Sequence, residues 1–307
     1  MNGHRPVLSK ESIEFLQPRP GSVMVDCTLG GGGHAEAVLA RIQPGGRLLG
    51  LDRDPEALRR VRARLADREG LVLRQADFAD LAAVAAAAGF EPADGILFDL
   101  GLSSQQLDDP RRGFSFRAAG PLDMRMDPAS SLTAEEVVNG TSQRELTRII
   151  RELGEERWAG RVAEFILARR PLRTTLELSA AVEAAIPRRA WPPGIHPATR
   201  TFQAVRMAVN DELGSLARGL KAATKILTPG GRMATISFHS LEDRLVKSHF
   251  NVESADCVCP PQQPVCTCAH RASLRILTRR PVRPSAEEVA ANPRARSARL
   301  RAAERLA

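Results

Sequence analysis

Ser22-Val-Met-Val-Asp-Cys-Thr-Leu-Gly-Gly-Gly-Gly-His34 decides how the first hundred residues fold. Ser22–Leu29 is a short apolar run rich in β-branched residues, and it stops at glycines Gly30–Gly33. Such a run bounded by glycine reads as a buried strand. The residues after it, Gly33–Ile42, repeat apolar positions at helical spacing. Strand, glycine turn and helix start together expose backbone N–H groups and let the chain approach a ligand closely.

The same alternation continues outward. Gly46–Asp52, Leu71–Asp77 and Asp94–Leu100 are three more apolar strand patterns. Between them lie helical patterns at Pro55–Leu65, with Asp54 as its N-cap, and at the alanine-rich Leu81–Ala88. Strands this apolar, separated by helices, predict a parallel sheet covered on both faces. Right-handed connections make it a doubly wound, Rossmann-like α/β fold. The rhythm then stops. Asp108–Pro128 is rich in Pro, Gly and Asp and reads as loop. Thr133–Ile186 is mostly helical, including Ser142–Leu153, and Trp191–His196 is a break. A helix is predicted over Thr201–Ile226, and Gly231–Phe238 supplies a fifth strand. The expected organisation is a discontinuous sheet domain, residues 1–107 and 211–307, carrying an inserted, mainly helical domain, residues 108–210.

At 307 residues the chain can bury cores for two domains. It contains no apolar stretch long enough to span a bilayer, and Met1–Glu14 lacks the apolar region of a signal peptide. A cytoplasmic protein with reduced cysteines and no membrane partner is expected. The net charge of +8 points to a polyanionic partner. Between Arg271 and Arg305 there are ten arginines against three glutamates. Lysine occurs only at Lys10, Lys221, Lys225 and Lys247, so coding bias accounts for arginine over lysine but not for the clustering. Nucleic-acid contact is the functional reading of the stretch, and a solvated tail is the other.

Asp52 ends the second strand, nineteen residues after Gly33, where an acidic group accepts hydrogen bonds from ribose hydroxyls. Gly30, Gly32 and Ala35 satisfy the dinucleotide pattern G-x-G-x-x-A, so the loop alone does not choose its ligand. Two features favour S-adenosylmethionine over NAD. Asp26 completes D-x-x-x-G-x-G, which resembles the first motif of class I methyltransferases. Asp77-Phe78 closes the third strand, where those enzymes hold adenine with an acceptor and an apolar face.

Asp99 ends the fourth strand, in Asp99-Leu-Gly-Leu-Ser-Ser-Gln-Gln106. The carboxyl ends of such strands form the ligand crevice. Asp99 suits two roles: accepting an N–H of an exocyclic amine under methylation, or holding the cofactor. Phe114 and Phe116 lie just beyond, where one would stack on a flipped base or both would pack a core. Ser240 and Asp243 read as a capping box, with His239 beside them either facing the site or structural.

Cys257-x-Cys259 and Cys266-x-Cys268 bring together four soft ligands, with Pro260, Pro261 and Pro264 between them. Four thiolates match a structural zinc site in number. The C-x-C spacing is tighter than the usual C-x₂-C, and His249 and His270 are alternative ligands. Reduced thiols in a proline-rich loop are the competing reading.

Longer blocks carry a resemblance. They are DCTLGGGGH (Asp26–His34), LDRDPEAL (Leu51–Leu58), DLGLSSQQLDD (Asp99–Asp109), RGFSF (Arg112–Phe116) and PLDMRMD (Pro121–Asp127). HPATRTFQAVRMAVNDEL (His196–Leu213), ISFHSLEDRLVK (Ile236–Lys247) and NPRARSARLRAAER (Asn292–Arg305) continue it. The chain resembles the bacterial small-subunit ribosomal RNA cytosine-N4 methyltransferases over nearly its whole length. The resemblance implies a class I methyltransferase sheet with an inserted helical domain, S-adenosylmethionine as cofactor, and methylation of one decoding-region cytosine of 16S rRNA in the small ribosomal subunit. It implies that Gly32, Gly33 and His34 contact the methionine part of the cofactor. Asp52 would hold the ribose and Phe78 the adenine, with Asp99 and Gln106 completing the pocket. The Asp-Pro-Pro-Tyr type motif of many amino-methyltransferases is missing, and there is no tyrosine. Two other classes stand beside this reading: a non-catalytic ribosome-assembly factor retaining the fold, which would be expected to lose Asp52 or Asp99, and a nicotinamide-dependent oxidoreductase.

Overall fold

The computed structural model describes residues 6–191, 193–260, 262–263 and 265–307. Met1–Arg5, Pro192 of the predicted break, and Pro261 and Pro264 of the cysteine loop lie outside the described residues. The chain divides into two compact units, Met1–Gly101 with Leu213–Ala307, and Leu102–Glu212.

The first unit contains a seven-stranded sheet. Its strands are β1 (Val23–Asp26), β2 (Arg47–Asp52), β3 (Leu71–Gln75), β4 (Ala93–Asp99), β5 (Leu227–Ser237), β6 (Leu274–Ile276) and β7 (Arg299–Arg305). The spatial order is β3-β2-β1-β4-β5-β7-β6. Strands β1 to β5 pair in parallel, while β7 runs antiparallel to both β5 and β6. Neighbouring residues in the central strands point to opposite faces, and both faces are apolar. Met24, Leu48 and Leu97 pack with Val38, Leu39 and Val61 of helices Gly33–Ile42 and Pro55–Arg64. Val25, Leu49 and Ile96 pack with Leu81, Leu220 and Phe250 from helices Leu81–Ala88, Glu212–Ile226 and Ser240–Glu253. Asp54 caps its helix as expected, accepting the Glu56 N–H at 2.9 Å. The strand order reverses between β1 and β4, and ligands of doubly wound sheets bind at the carboxyl ends beside such a reversal.

The second unit is helical. Ala134–Gly140, Gln143–Gly154, Ala159–Leu167, Thr175–Ala185 and Thr199–Asn210 share one apolar core that includes Val138, Ile150, Ile166, Val182 and Val205. Capping boxes at Thr133/Glu136 and Thr174/Glu177 start two of these helices. Asn210 ties the last helix to the loop before the first: its Oδ1 accepts the Met126 N–H at 2.7 Å, and its Nδ2 donates to the Met124 carbonyl at 2.8 Å.

The structure differs from the sequence reading in one helix, adds another and decides against one of two alternatives. The single helix over Thr201–Ile226 is two helices, Thr199–Asn210 and Glu212–Ile226, separated by Asp211 in the left-handed region (φ 46°). A helix at Ser9–Leu16 was not foreseen. The arginine-rich stretch is not a free tail, because it contains β6 and β7. Arg301 is buried there and donates to both oxygens of Asp243, at 2.6 and 3.2 Å, and Arg299 reaches the same carboxylate at 3.0 Å. Arg275 pairs with Glu304 and Arg305 donates to the Ser273 carbonyl, so these four cations are committed to the fold. Arg271, Arg279, Arg280, Arg283 and Arg296 keep exposed side chains.

Candidate active site

Three carboxylates end adjacent strands of the sheet: Asp26 on β1, Asp52 on β2 and Asp99 on β4. Alternation along each strand decides what is buried, and strand termination leaves the last side chain at the rim. Between Asp26 and the helix at Gly33 the chain turns through Gly30 (φ 49°) and Gly32 (φ 74°). A Cβ on Gly32 would stand 2.8 Å from Val61, so close packing as well as the positive φ demands glycine there. At Gly33 a Cβ would come within 3.0 Å of the Pro6 ring.

Asp52 is held by the backbone. Its Oδ2 accepts the Gly30 N–H and its Oδ1 the Asp54 N–H, both at 2.8 Å. Burial pushes its carboxyl up to about 6, against these two hydrogen bonds. Asp26 accepts the Thr28 N–H at 3.1 Å. Burial pushes it up to about 6 as well, opposed by His34 and assisted by the charges of Asp99 and Asp52. The Thr28 hydroxyl accepts the Asp99 N–H at 2.6 Å and so fixes the end of β4 against the end of β1.

His34, on the first turn of the helix after the glycines, is buried, with Nε2 3.5 Å from Asp99 Oδ2. That distance is an ion-pair contact and long for a hydrogen bond. Burial works to lower the His34 pKa, but Asp99 and then Asp26 outweigh it, and the net shift is upward. Asp26 Oδ2 and Asp99 Oδ1 are buried and have no hydrogen-bond partner among the described residues. Unsatisfied buried acceptors are costly, so this corner is complementary to a ligand bearing donors or positive charge.

Phe78 begins a short turn after β3. Its ring meets Phe98 edge-on at 5.6 Å between centroids, with the Arg53 guanidinium 5.6 Å from its own centroid. Asp77 already accepts from Arg53 at 2.5 Å, Ser215 at 2.9 Å and the Ala79 N–H at 2.8 Å. Its oxygens are therefore largely occupied within the fold. Arg53, Thr28 and Gly219 went unnoticed in the sequence. Gly219 carried a usable signal, because a glycine inside a helix costs about 1 kcal/mol. Here a Cβ would stand 2.8 Å from the Phe78 ring.

Gln106 lies in the second unit, at the start of the short helix Ser104–Asp108. Its Oε1 accepts the Ser103 N–H at 3.1 Å, and its own N–H donates to the Ser103 hydroxyl at 3.2 Å. The structure thus gives Gln106 a capping role. Phe114 is buried in the core of that unit. Phe116 stacks on His196 at 4.5 Å and meets Phe202 edge-on at 5.0 Å, so packing accounts for both rings. The expected Ser240/Asp243 box is displaced by one residue: His239 is the N-cap, its Nδ1 accepting the Glu242 N–H at 3.4 Å while Glu242 Oε2 accepts the His239 N–H at 3.3 Å. His239 is thus structural, and Asp243 is taken by Arg299 and Arg301. Cys257, Cys259, Cys266 and Cys268 sit on the loop between helix Ser240–Glu253 and β6. No helix of the described residues is long and apolar enough to cross a membrane.

Comparison with known proteins identifies the family. The family model described as the MraW methylase family matches residues 1–306. A protein named ribosomal RNA small subunit methyltransferase H from Thermomicrobium roseum is 54% identical over 309 residues, covering 99% of this chain and 94% of its own. One of the same name from Halothermothrix orenii is 49% identical, covering 99% and 98%. A third, from Geobacter sulfurreducens, is 53% identical, covering 99% of each. With a full-length family match and relatives at half identity from end to end, the chain belongs to the MraW methylase family.

Proposed function

We propose that this protein transfers a methyl group from S-adenosylmethionine to the exocyclic N4 of one cytosine in the decoding region of 16S rRNA, within the small ribosomal subunit and in the cytoplasm. The observation that carries the reading is the cluster of Asp26, Asp52 and Asp99 at adjacent strand ends beside a glycine turn. Three carboxylates favour a ligand with a sulfonium, an ammonium and ribose hydroxyls, and they disfavour the pyrophosphate of a dinucleotide. The three negative charges disfavour the nicotinamide alternative, and retention of both Asp52 and Asp99 disfavours an inactive assembly factor.

When bound, S-adenosylmethionine supplies a methyl carbon made electrophilic by its positive sulfur. In our reading Asp52, oriented by two backbone N–H groups, accepts the ribose hydroxyls. Gly32 and Gly33 allow close backbone approach to the methionine part, and Phe78 offers an apolar edge to the adenine. His34 in its charged form pairs with Asp99. Asp99 Oδ1 then accepts an N–H, either from the cytosine amine or from the ammonium of the cofactor. In the first role it would localise the amine lone pair and receive the proton released as the N–C bond forms, the methyl–sulfur bond breaks and the neutral thioether leaves. In-line alignment of amine, methyl and sulfur supplies much of the remaining acceleration.

The inserted unit is the proposed RNA-recognition element. It carries exposed arginines over half-buried aromatic rings: Arg188 lies 4.0 Å from the Trp191 ring centroid, and Arg161 and Arg169 lie 5.2 and 5.0 Å from that of Phe165. Cationic planes on aromatic surfaces suit phosphates and unstacked bases.

The direct test incubates the protein with methyl-labelled S-adenosylmethionine and small subunits from a strain lacking the gene, then analyses the RNA nucleosides by mass spectrometry. Label in N4-methylcytidine is the expected result. Cofactor binding without label in any cytidine would overturn the assignment.

A further inference from the structure

The thiols of Cys257, Cys259, Cys266 and Cys268 converge on the loop that follows helix Ser240–Glu253. All four sulfurs lie within 4.8 Å of one another. Cys257 and Cys266 are 3.4 Å apart, Cys266 and Cys268 3.6 Å, and Cys257 and Cys268 3.8 Å. Thiolates around a tetrahedral zinc ion, each about 2.3 Å from the metal, stand about 3.8 Å from one another. The observed separations match that cage and exceed the ~2.05 Å of a disulfide. Two backbone N–H groups point at the sulfurs, Val258 to Cys268 and Cys259 to Cys257, each at 3.4 Å. Such donors orient a thiolate and stabilise its charge.

Apolar packing does not explain the convergence. Val258 and Val265, the large apolar residues within the loop, are 46% and 69% exposed. Within the loop Gln263 Nε2 donates to the Val265 carbonyl at 3.0 Å and to the Thr267 hydroxyl at 2.8 Å, and further hydrogen bonds tie the stem. Ser273 N–H donates to the Glu253 carbonyl at 2.7 Å, and His270 Nε2 lies 2.9 Å from the Val252 carbonyl. His270 is thereby held at the stem, and His249 lies 2.9 Å from the Thr224 hydroxyl, so the four sulfurs form the ligand set without either histidine. Gathering four thiols at the tip of an exposed loop costs conformational entropy that burial does not offset. A bound ion does offset it.

We propose that Cys257, Cys259, Cys266 and Cys268 form a structural zinc site that clips the loop between helix Ser240–Glu253 and strand β6. Four protein thiolates fill a tetrahedral shell and leave no open position, so the ion orders the loop and takes no part in methyl transfer. Binding releases the thiol protons to solvent. The tight C-x-C spacing is accommodated because each pair spans one edge of the tetrahedron, as the 3.6 Å between Cys266 and Cys268 illustrates.

The test measures zinc by mass spectrometry in full-length protein purified under reducing conditions without chelator, alongside the Cys266→Ser/Cys268→Ser variant. The expected result is about one zinc per wild-type chain, as a single four-coordinate site requires, and loss of most of it in the variant. Replacing zinc by cobalt should give the intense visible absorption of a tetrahedral cobalt–thiolate centre in wild type. That readout does not depend on how the variant folds. Wild-type protein that stays zinc-free after exposure to zinc, with four thiols open to alkylation, would overturn the proposal. So would intramolecular disulfides that persist in the reduced preparation.

Discussion

Two polar clusters in the sheet-bearing unit are assembled in opposite ways. Asp26, Asp52 and Asp99 are set by strand ends: backbone N–H groups hold the carboxylates of Asp26 and Asp52, and the Asp99 backbone is fixed by its own N–H donating to the Thr28 hydroxyl. On the 257–268 loop Cys257 and Cys266 are exposed and Cys259 and Cys268 half-buried, and the sulfurs lie against one another and against the N–H groups of Val258 and Cys259. The first cluster is paid for by the fold and should survive loss of its ligand. The second should lose its order with its ion. A functional site can therefore be rigid because of where the sheet stops or because of what it binds.

The largest effect is expected at Asp99. Asp99→Ala at saturating S-adenosylmethionine should lower kcat by about 10²–10⁴-fold, the range for a lost acid–base group. Single-turnover rates on small subunits would show it, and an unchanged rate would confine Asp99 to cofactor binding. Next comes a reference that needs no ligand. Asp243→Ala leaves the buried Arg301 without its carboxylate and should cost about 3 kcal/mol in urea unfolding. A loss no larger than that of an exposed pair would mean that the β7 arginines are not holding the sheet edge.

A smaller effect concerns pH. Asp26 and Asp52 have carboxyls raised from 3.8 to about 6, so the folded state binds more protons than the unfolded state between those values. Stability from these groups is greatest at acidic pH and falls as pH rises. His34, also raised, contributes fully below its unfolded value of 6.5 and loses that contribution as pH rises through its folded value. Both trends run the same way. Between about pH 5.5 and about pH 8 each carboxylate should cost the ligand-free protein about 1 kcal/mol. Thermal unfolding of Asp52→Asn should show a shallower dependence than wild type. The smallest global effect belongs to the thiols. Cys266→Ser/Cys268→Ser should change overall stability by less than about 1 kcal/mol while hydrogen exchange accelerates within the loop. A large drop in global stability would show that the loop supports the sheet and is not merely appended to it.

Much of this arrangement is legible in the sequence. The strand–helix rhythm from Ser22 to Leu100 translates into β1 to β4, because each strand is apolar on both faces and each helix has a clear start. Asp52 and Asp99 stand out as polar residues that end those runs, and Asp26 through the D-x-x-x-G-x-G pattern, the strand itself stopping at Asp26 short of the expected Leu29. What escaped depended on long-range pairing. β7 reads as a basic tail because Arg301 is a strand residue only when Asp243, far away in sequence, neutralises it. The break at Asp211 was hidden because residues on both sides have helical periodicity, and a non-glycine residue takes the left-handed conformation between them. Gln106 and His239 both complete capping boxes, a local role that residue type alone signals weakly for histidine, and for His239 it selects the structural one of the two readings that the sequence leaves open.

The central claim is that the strand-end carboxylates form the cofactor site. Calorimetric titration of S-adenosylmethionine into wild-type protein and Asp52→Ala tests it most directly. Loss of hydrogen bonds to a charged acceptor, worth about 1.5–3 kcal/mol, should weaken binding by about 10–100-fold. Equal affinity in the two proteins would contradict the placement of the ribose at Asp52.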